Sequence, residues 1–459
     1  MPKKSLACLI LGLLLVSLLW GQVPPDKKPE IPAVKAAEKP TIDPATQRLI
    51  DQLADLDFRK RDEAARLLEA MGEKALPALR AARKHSDPEV RRRAADLQAP
   101  IESATLLAPK RLTLTLEQKT IAEALEAIGK QTGYAIDLTP GPAVKGQPEE
   151  RSDYKWKDVL FWQALDEVCR AGGLTVQQSF GDSRLRLQAH DRYAPYLCPA
   201  GAFCMAAGGF QQTKTVDFSS FPRSNAEVAR WDELVFAFYV HAEPRLPLLS
   251  LGEPHVTAAY DDENNSMIPP AGAARDQPNP QLFGYRNGRY YYGGNRMLTL
   301  TGQLNLVRPS PKAASLKQLK GTLPLTILAE QKSVVVSDNL TASKGKKHQA
   351  GTTTFTIVDV SETAGKQVQL QLLIAEEAAL GNGPNDFTWL NSMWSRLEVY
   401  DDKGNRMAHQ GGGMGINGPN QANMSMTYPA GSKPTKLVYQ VWTLLHCQID
   451  FEFKGLPLP

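Results

Sequence analysis

The sequence predicts a multidomain α plus β protein: a short helical segment, a small α+β domain, and two tandem antiparallel β-sandwiches. Three observations predict this. Apolar residues recur at helical spacing over residues 45–98. Between 110 and 190, strand and helix patterns alternate twice. From 212 to the end, short period-two runs are separated by Gly, Pro and Asn turns. A chain of 459 residues has room for about three domains. With 42% hydrophobic and 22% charged residues, 34 Gly and 33 Pro, its composition is globular and loop-rich. That excludes a disordered, collagenous or coiled-coil chain. A formal net charge of +4 makes no broad basic footprint, so no nucleic-acid partner is expected.

The chain opens with Lys3 and Lys4, then an uncharged apolar run from Ser5 to Trp20. As a helix this run would span roughly 24 Å, short against a hydrocarbon core of about 30 Å. A charged start, a short apolar stretch and a polar continuation make a secretory signal peptide. No Ala-x-Ala cleavage site follows, so an uncleaved N-terminal anchor is the alternative. Membrane contact is expected only through this segment. Pro24, Pro25, Pro29, Pro32, Pro40 and Pro44 then rule out helix or ladder and make an extended spacer.

Four amphipathic stripes follow. The first is Leu49, Ile50, Leu53 and Leu56. The second is Phe58, Ala64, Ala65, Leu67, Leu68 and Met71. Leu76, Leu79 and Ala82 carry the third, and Val90, Ala94 and Leu97 the fourth. Asp87-Pro88-Glu89 is a helix start: Asp caps, Pro fits the first turn, and Glu suits the positive end of the dipole. Arg91, Arg92 and Arg93 read as the solvated face of that last helix. The runs Asp57–Ala65, Ala75–Leu79 and Asp87–Ala94, with their helix–Pro–helix rhythm, resemble HEAT repeats. About three repeats are needed for a solenoid core, so this piece is expected to lean on a neighbour.

Next, Leu112–Leu116 alternates as a strand. Ile121, Leu125 and Ile128 mark a helix that stops at Gly133, and Tyr134–Leu138 is a second strand. The pattern returns with Ser152–Trp156, a helix through Phe161, Leu165, Val168 and Cys169 ending at Gly172-Gly173, and strands at 174–176 and 185–187. The spacing Leu114-x-Leu116, Ile121-x-x-Ala124-Leu125-x-x-Ile128-x-x-Gln131-x-Gly133, then Trp162-x-Ala164-Leu165-x-x-Val168-x-x-x-Gly172-x-Leu174 resembles the short N-terminal domain of secretins and TonB-dependent receptors. That resemblance implies a periplasmic docking or signalling module without catalytic residues.

The β region holds runs such as Leu234–Val240, Leu323–Leu328, Thr354–Val358 and Val368–Ile374. An internal echo, Y-D-D-x-x-N-x-M at Tyr260–Met267 and again at Tyr400–Met407, indicates two copies. The expected divisions are 1–21 (signal peptide or anchor), 22–44 (Pro-rich linker), 45–109 (HEAT-like helices) and 110–190 (α+β). They continue with 191–211 (linker), 212–330 (first sandwich) and 331–459 (second sandwich).

Candidate sites are few. Tyr285, Arg286, Arg289, Tyr290 and Tyr292 surround Asn287-Gly288, a type I′ hairpin pair. Such a hairpin presents aromatic rings with polar handles to a protein groove or a sugar ring, or packs them across its own sheet. Met414 among Gly411, Gly412, Gly413, Gly415 and Gly418 reads as the corresponding loop of the second copy. Gly413-x-Gly415-x-x-Gly418 spells GxGxxG but leads into Pro419 rather than a helix, so no pyrophosphate site is expected. The Asp-Asp turns lack calcium-loop spacing and read as turns stabilised by Asp and Asn side chains.

Apart from Cys8, the cysteines are Cys169, Cys198, Cys204 and Cys447, candidate disulfide residues with three connectivities or else free thiols. No CxxC or nearby His pair supports zinc, so no metal and no cofactor are expected. The seven histidines form no HExxH, and there is no GxSxG elbow or Walker loop.

These features predict a non-enzyme: an exported binding or scaffold protein, periplasmic or in the cell envelope, with an envelope protein partner. A glycan-binding envelope protein is one alternative, and a hydrolase with an unrecognised site is another. The whole arrangement resembles exported bacterial HEAT-repeat proteins.

Overall fold

The structure, a computed structural model, describes residues 42–139, 151–177, 183–189, 196–217, 229–270, 285–286, 289–290, 296–363, 365–376, 388–418 and 420–459. The expected signal or anchor segment and the Pro-rich spacer up to residue 41 lie outside them. Two compact units divide at residue 101. The described residues are mixed α/β, with strand the larger share.

The first unit is helical: α1 (Pro44–Gln52), α2 (Phe58–Met71), a 3₁₀ turn (Gly72–Ala75), α3 (Leu76–Ala82) and the part of α4 (Pro88–Leu107) up to Ile101, the last six residues of that helix belonging to the second unit. Asp43, Asp57 and Asp87 each accept a backbone N–H of the first turn, as an N-cap does. Arg61 and Arg91 then reach back from α2 and α4. Each donates to the two carbonyls just before its own cap, Asp55 and Leu56 for Arg61, His85 and Ser86 for Arg91. The sequence echo behind this is D-x-x-x-R-x-x-A-A at Asp57–Ala65 and Asp87–Ala95. Ile50, Leu53, Leu68, Leu79, Val90 and Ala94 form the core.

Three expected stripe residues fall outside that core. Leu56 is fully exposed because α1 has already ended, and Phe58 and Leu67 are also exposed. Arg92 and Arg93 pair with Glu89, whose carboxyl these guanidiniums hold well down, to about 2.

The second unit begins with the α+β part: β1 (Arg111–Lys119), α5 (Ile121–Thr132), β2 (Ile136–Thr139), β3 (Ser152–Leu160), α6 (Phe161–Gly172), β4 (Leu174–Gln177) and β5 (Leu185–Ala189). Thr120 and Glu123 close a reciprocal capping box on α5, and left-handed Gly133 and Gly173 end the two helices. β1 pairs antiparallel with β3, while β5 lies between parallel β2 and antiparallel β4. Leu112, Ile128, Trp156, Phe161, Leu165 and Val168 fill the core.

Strands dominate the rest: β6 (Leu197–Ala200), β7 (Phe203–Asp217), β8 (Ala229–Ala242), β9 (Leu248–Leu251), β10 (His255–Asp261), β11 (Tyr285–Arg286), β12 (Arg289–Tyr290) and β13 (Thr299–Leu306). Then come β14 (Ser315–Ser337), β15 (Lys347–Ala350), β16 (Thr353–Glu362), β17 (Val368–Glu376), α7 (Thr388–Arg396) and β18 (Leu397–Asp401). The last are β19 (Arg406–Met407), β20 (Gly411–Gly418), β21 (Gln421–Tyr428) and β22 (Pro434–Pro457). Residues 197–211, expected as part of a linker, are therefore the β6–β7 hairpin. Its Pro199 and its glycines mimic a spacer, but Phe203 and Met205 are buried in the core.

β14 and β22 pair antiparallel along almost their whole length, from Ser315 opposite Pro457 to Ser337 opposite Leu437. Each strand serves two cores. The sheet β13-β8-β7-β6 packs on the N-terminal half of β14 and the C-terminal half of β22. There Phe236, Phe238 and Leu300 meet Leu316, Leu319, Phe451 and Phe453. The sheet β15-β16-β17-β21-β20 packs on the other halves and on α7, where Phe355, Leu372 and Met424 meet Val336, Leu437, Tyr439 and Trp389. The expected division at 330/331 cuts through the middle of β14. Residues 447–457 belong with the first packed pair of sheets, not the second.

The echo is also structural. Asp261 accepts Asn265 N and Nδ2 at 2.7 and 3.0 Å, and Asp401 accepts Asn405 N and Nδ2 at 2.7 and 3.1 Å. Asn264 and Gly404 both sit at positive φ. β10 flanks β14 as β18 flanks β22, so the two turns hold equivalent places beside exchanged long strands.

Candidate functional site

The tyrosine hairpin exists as backbone. Tyr285 pairs with Tyr290 and Arg286 with Arg289 across a two-residue connection, and Tyr290 pairs with Leu251 of β9. This places β11 and β12 at one end of the large sheet. Tyr292, Asn287 and Gly288 lie outside the described residues.

Cys169, Cys198, Cys204 and Cys447 are free thiols. Register explains why the short 198–204 loop carries no disulfide. β6 pairs Cys198 with Met205 and Pro199 with Cys204, so the two cysteines point to opposite faces. Cys204 packs into the α+β core and Cys198 against the sheet core. Burial pushes the Cys169 thiol up to about 12 and the Cys447 thiol to about 11, which suits inert packing rather than nucleophilic chemistry.

The strongest buried polar cluster was not visible in the sequence. Glu243, 0% exposed, follows β8. Its carboxylate accepts from Lys110 N at 2.9 Å, Tyr134 Oη at 2.6 Å and Arg245 Nε at 3.1 Å. Arg245 also donates to Tyr134 Oη and to the carbonyls of Leu106 and Ala108. Burial and the neighbouring Glu243 push the Tyr134 hydroxyl far up, so it stays a neutral donor.

Two residues before Glu243, His241 lies beside Trp162 and Tyr239, with ring centroids 5.9 and 6.3 Å away. Its Nδ1 meets Thr299 Oγ1 at 2.9 Å, and burial lowers its pKa to about 4. Trp162 Nε1 donates to Ala202 O. This cluster fastens the α+β part to the end of the β6–β7–β8 sheet. Its groups are spent on one another and on backbone, which is the chemistry of a joint.

A second buried cluster lies under α7. Arg396 donates to Gln440 O and stacks on Tyr439, its ring 4.4 Å away. Tyr439 Oη donates to Thr353 Oγ1, which in turn donates to Glu376 Oε2 at 2.7 Å. Glu376 Oε1 has no hydrogen-bond partner. A shallow cleft of about 500 Å³ lies over the Asp401–Lys403 turn, with Met407, Pro429 and Lys433 at its walls. Asp401 is already taken by Asn405 and the Lys403 N–H, and these hydrogen bonds lower its pKa. Among the described residues no group of three His, Cys, Asp or Glu is placed to hold a metal ion. No described helix is long and apolar enough to cross a membrane.

One further feature is open: β20, whose glycines read as a loop in the sequence. It is a strand that, among the described residues, pairs only with β21. Gly412 permits that pairing: a Cβ there would strike Ser425 O and the Trp394 ring, at 2.3 and 2.6 Å. The Trp394 ring lies 5.0 Å from that of His409. Most of β20 is exposed, including Ile416 at 52%. The literal GxGxxG thus lies on a strand, not before a helix.

No family model, no curated protein and no solved structure matches this chain.

Proposed function

We propose that this chain is a non-catalytic, exported binding and scaffold protein of the cell envelope that holds a protein partner. The observation that carries the reading is β20, an exposed, uncharged, eight-residue strand at the edge of a sheet. Sheets normally blunt such edges with charge, proline or brevity, because unpaired backbone groups invite another chain. The buried ionisable clusters support the same reading, since they tie segments of the second unit into a fixed support.

The finer architecture is part of the proposal. The repeated Asp cap and reaching Arg of α2 and α4 support HEAT-like helices. The doubled strand–helix–strand order of residues 111–177 supports a short secretin/TonB-like domain. The two packed pairs of sheets support paired β-sandwiches joined by exchanged long strands.

The test is crosslinking in living source cells, followed by purification of the chain and identification of what accompanies it. One dominant envelope protein is the expected result. Glycan fragments without a protein partner would overturn the reading in favour of carbohydrate binding. Turnover of glycosidase, esterase or peptidase substrates by the purified chain would overturn it in favour of a hydrolase.

A further inference from the structure

We propose that β20 accepts an extended, uncharged segment of a partner protein as an added strand, with aromatic or β-branched side chains at alternate positions. The proposal rests on the scaffold reading above and names the chemistry of what docks.

The other ends of the sheets show what protection looks like here. β15 has four residues and begins with Lys347, and β6 has four and contains Pro199. β19 has two residues, one of them Arg406, and β2 and β4 have four each. β13 matches β20 in length, but only one of its eight residues is exposed. Among the described residues, β20 alone is long, exposed and free of both charge and proline. An added strand gains main-chain hydrogen bonds along such an edge and specificity from alternate side chains.

Charge decides the first property of the occupant. No Asp, Glu, Lys or Arg occurs from Ala408 to Ser432, which covers β20, its turn and β21. A charged segment would lose hydration there without an ionic partner, whereas a neutral one loses little.

The faces decide the second. Period two puts Gly411, Gly413 and Gly415 on one face of β20, opposite Thr427, Ser425 and Asn423 of β21. None of these glycines has positive φ. A Cβ on Gly411 or Gly415 would meet nothing within 4 Å, so neither residue is glycine because of this chain's own backbone or packing. A bare strip leaves room for large side chains of a neighbouring strand to lie across it, the arrangement in which aromatic residues cover edge glycines. On the other face, Ile416 is exposed and offers apolar contact to an alternate side chain, beside Met414, which packs partly on this chain's own core.

A second copy of this chain fits less well. Symmetric pairing about Met414 would set Gly413 against Gly415 and leave glycine facing glycine. Two eight-residue edges would bury roughly 300 Å² per partner, well below the ~800 Å² of a stable interface. A flexible segment can lay side chains over both faces, and a rigid edge cannot.

The experiment uses the purified full chain and the peptide Thr-Tyr-Thr-Tyr-Thr-Tyr-Thr-amide, carrying fluorescein on its N-terminus through a Gly-Gly spacer and read by anisotropy. Two control peptides replace the central Tyr with Pro or all Tyr with Gly. The protein variant is Gly415→Lys, which has room for its side chain and should keep its melting temperature. Wild type is expected to bind the Tyr peptide at least about tenfold more tightly than either control, and Gly415→Lys to lose about tenfold.

Equal binding by wild type and Gly415→Lys, no preference for Tyr over Gly, or no binding up to about 1 mM would overturn the proposal. The cell crosslinking experiment, repeated with Gly415→Lys, separates the two failures. A partner recovered equally with wild type and variant would sink strand addition and leave the scaffold reading standing. No protein partner with wild type would sink the scaffold reading itself.

Discussion

Replacing His241 with Asn should remove part of this protein's sensitivity to acid. The imidazole is buried between Trp162 and Tyr239, its Nδ1 is bonded to Thr299, and burial lowers its pKa from the ordinary 6.5 to about 4. The fold therefore holds the ring neutral while the unfolded chain already binds a proton. Between pH 6.5 and pH 4 the unfolded state carries more protons, so stability falls as pH falls through that window. Above it the effect vanishes, and below it no further loss accrues. At pH 4 the difference amounts to about 3 kcal/mol, or roughly 150-fold in the folding equilibrium.

The assay is urea unfolding of wild type and His241→Asn at pH 7 and pH 4, followed by tryptophan fluorescence. Asn can keep the bond to Thr299 but cannot titrate. The variant will be less stable at pH 7, because it leaves a cavity beside Trp162. What matters is the change between the two pH values, which should be about 3 kcal/mol smaller in the variant. Carboxylates shared by both proteins cancel in that comparison. Equal losses in the two proteins would refute the reasoning, because they would mean that the ring does not resist protonation in the fold.

Three further outcomes are expected. Phe451→Ala should cost about 3–5 kcal/mol and, by hydrogen exchange, loosen residues 203–242 and 299–327; loosening confined to 347–428 would contradict the exchanged strands. Arg245→Met leaves the buried Glu243 without its counter-charge and should cost about 3–5 kcal/mol, with Glu243→Gln in the same chain restoring part of it. Simple additivity of those two changes, measured by urea unfolding, would show that the pair is not coupled. The melting temperature should be the same with and without reductant, because Cys169, Cys198, Cys204 and Cys447 are free; a drop on reduction would point to a disulfide.

Much of this fold is written in local spacing. The helix ends at Gly133 and Gly173, the cap at Asp87 and the Asn-held turns at Asp261 and Asp401 follow from residues within a few positions of one another. The five strands and two helices of residues 111–189 were legible for the same reason. Leu56, Phe58 and Leu67 fit the helical stripes yet are exposed, because spacing marks an apolar face without showing whether anything covers it.

The candidate site was far less legible. Glu243 is an isolated acidic residue in the sequence, and nothing near it announces Tyr134, 109 positions away, as its partner. The run from Gly411 to Gly418 looked like a loop because glycine is a weak strand former. It becomes a strand because β21 pairs with it and Trp394 packs against Gly412, and it becomes an edge because the sheet ends there.

Local spacing is enough for the composition class, the helical segment, the doubled strand–helix–strand part and the repeated Asp–Asn turn. Packing in three dimensions sets the rest: β14 and β22 each serve two cores, Cys204 and Cys198 face different cores, and β20 is the strand left open among the described residues. Local periodicity tells a strand which face to bury but not which strand to join. That choice is made by packing between segments more than a hundred residues apart, as where Leu316 and Leu319 meet Phe453.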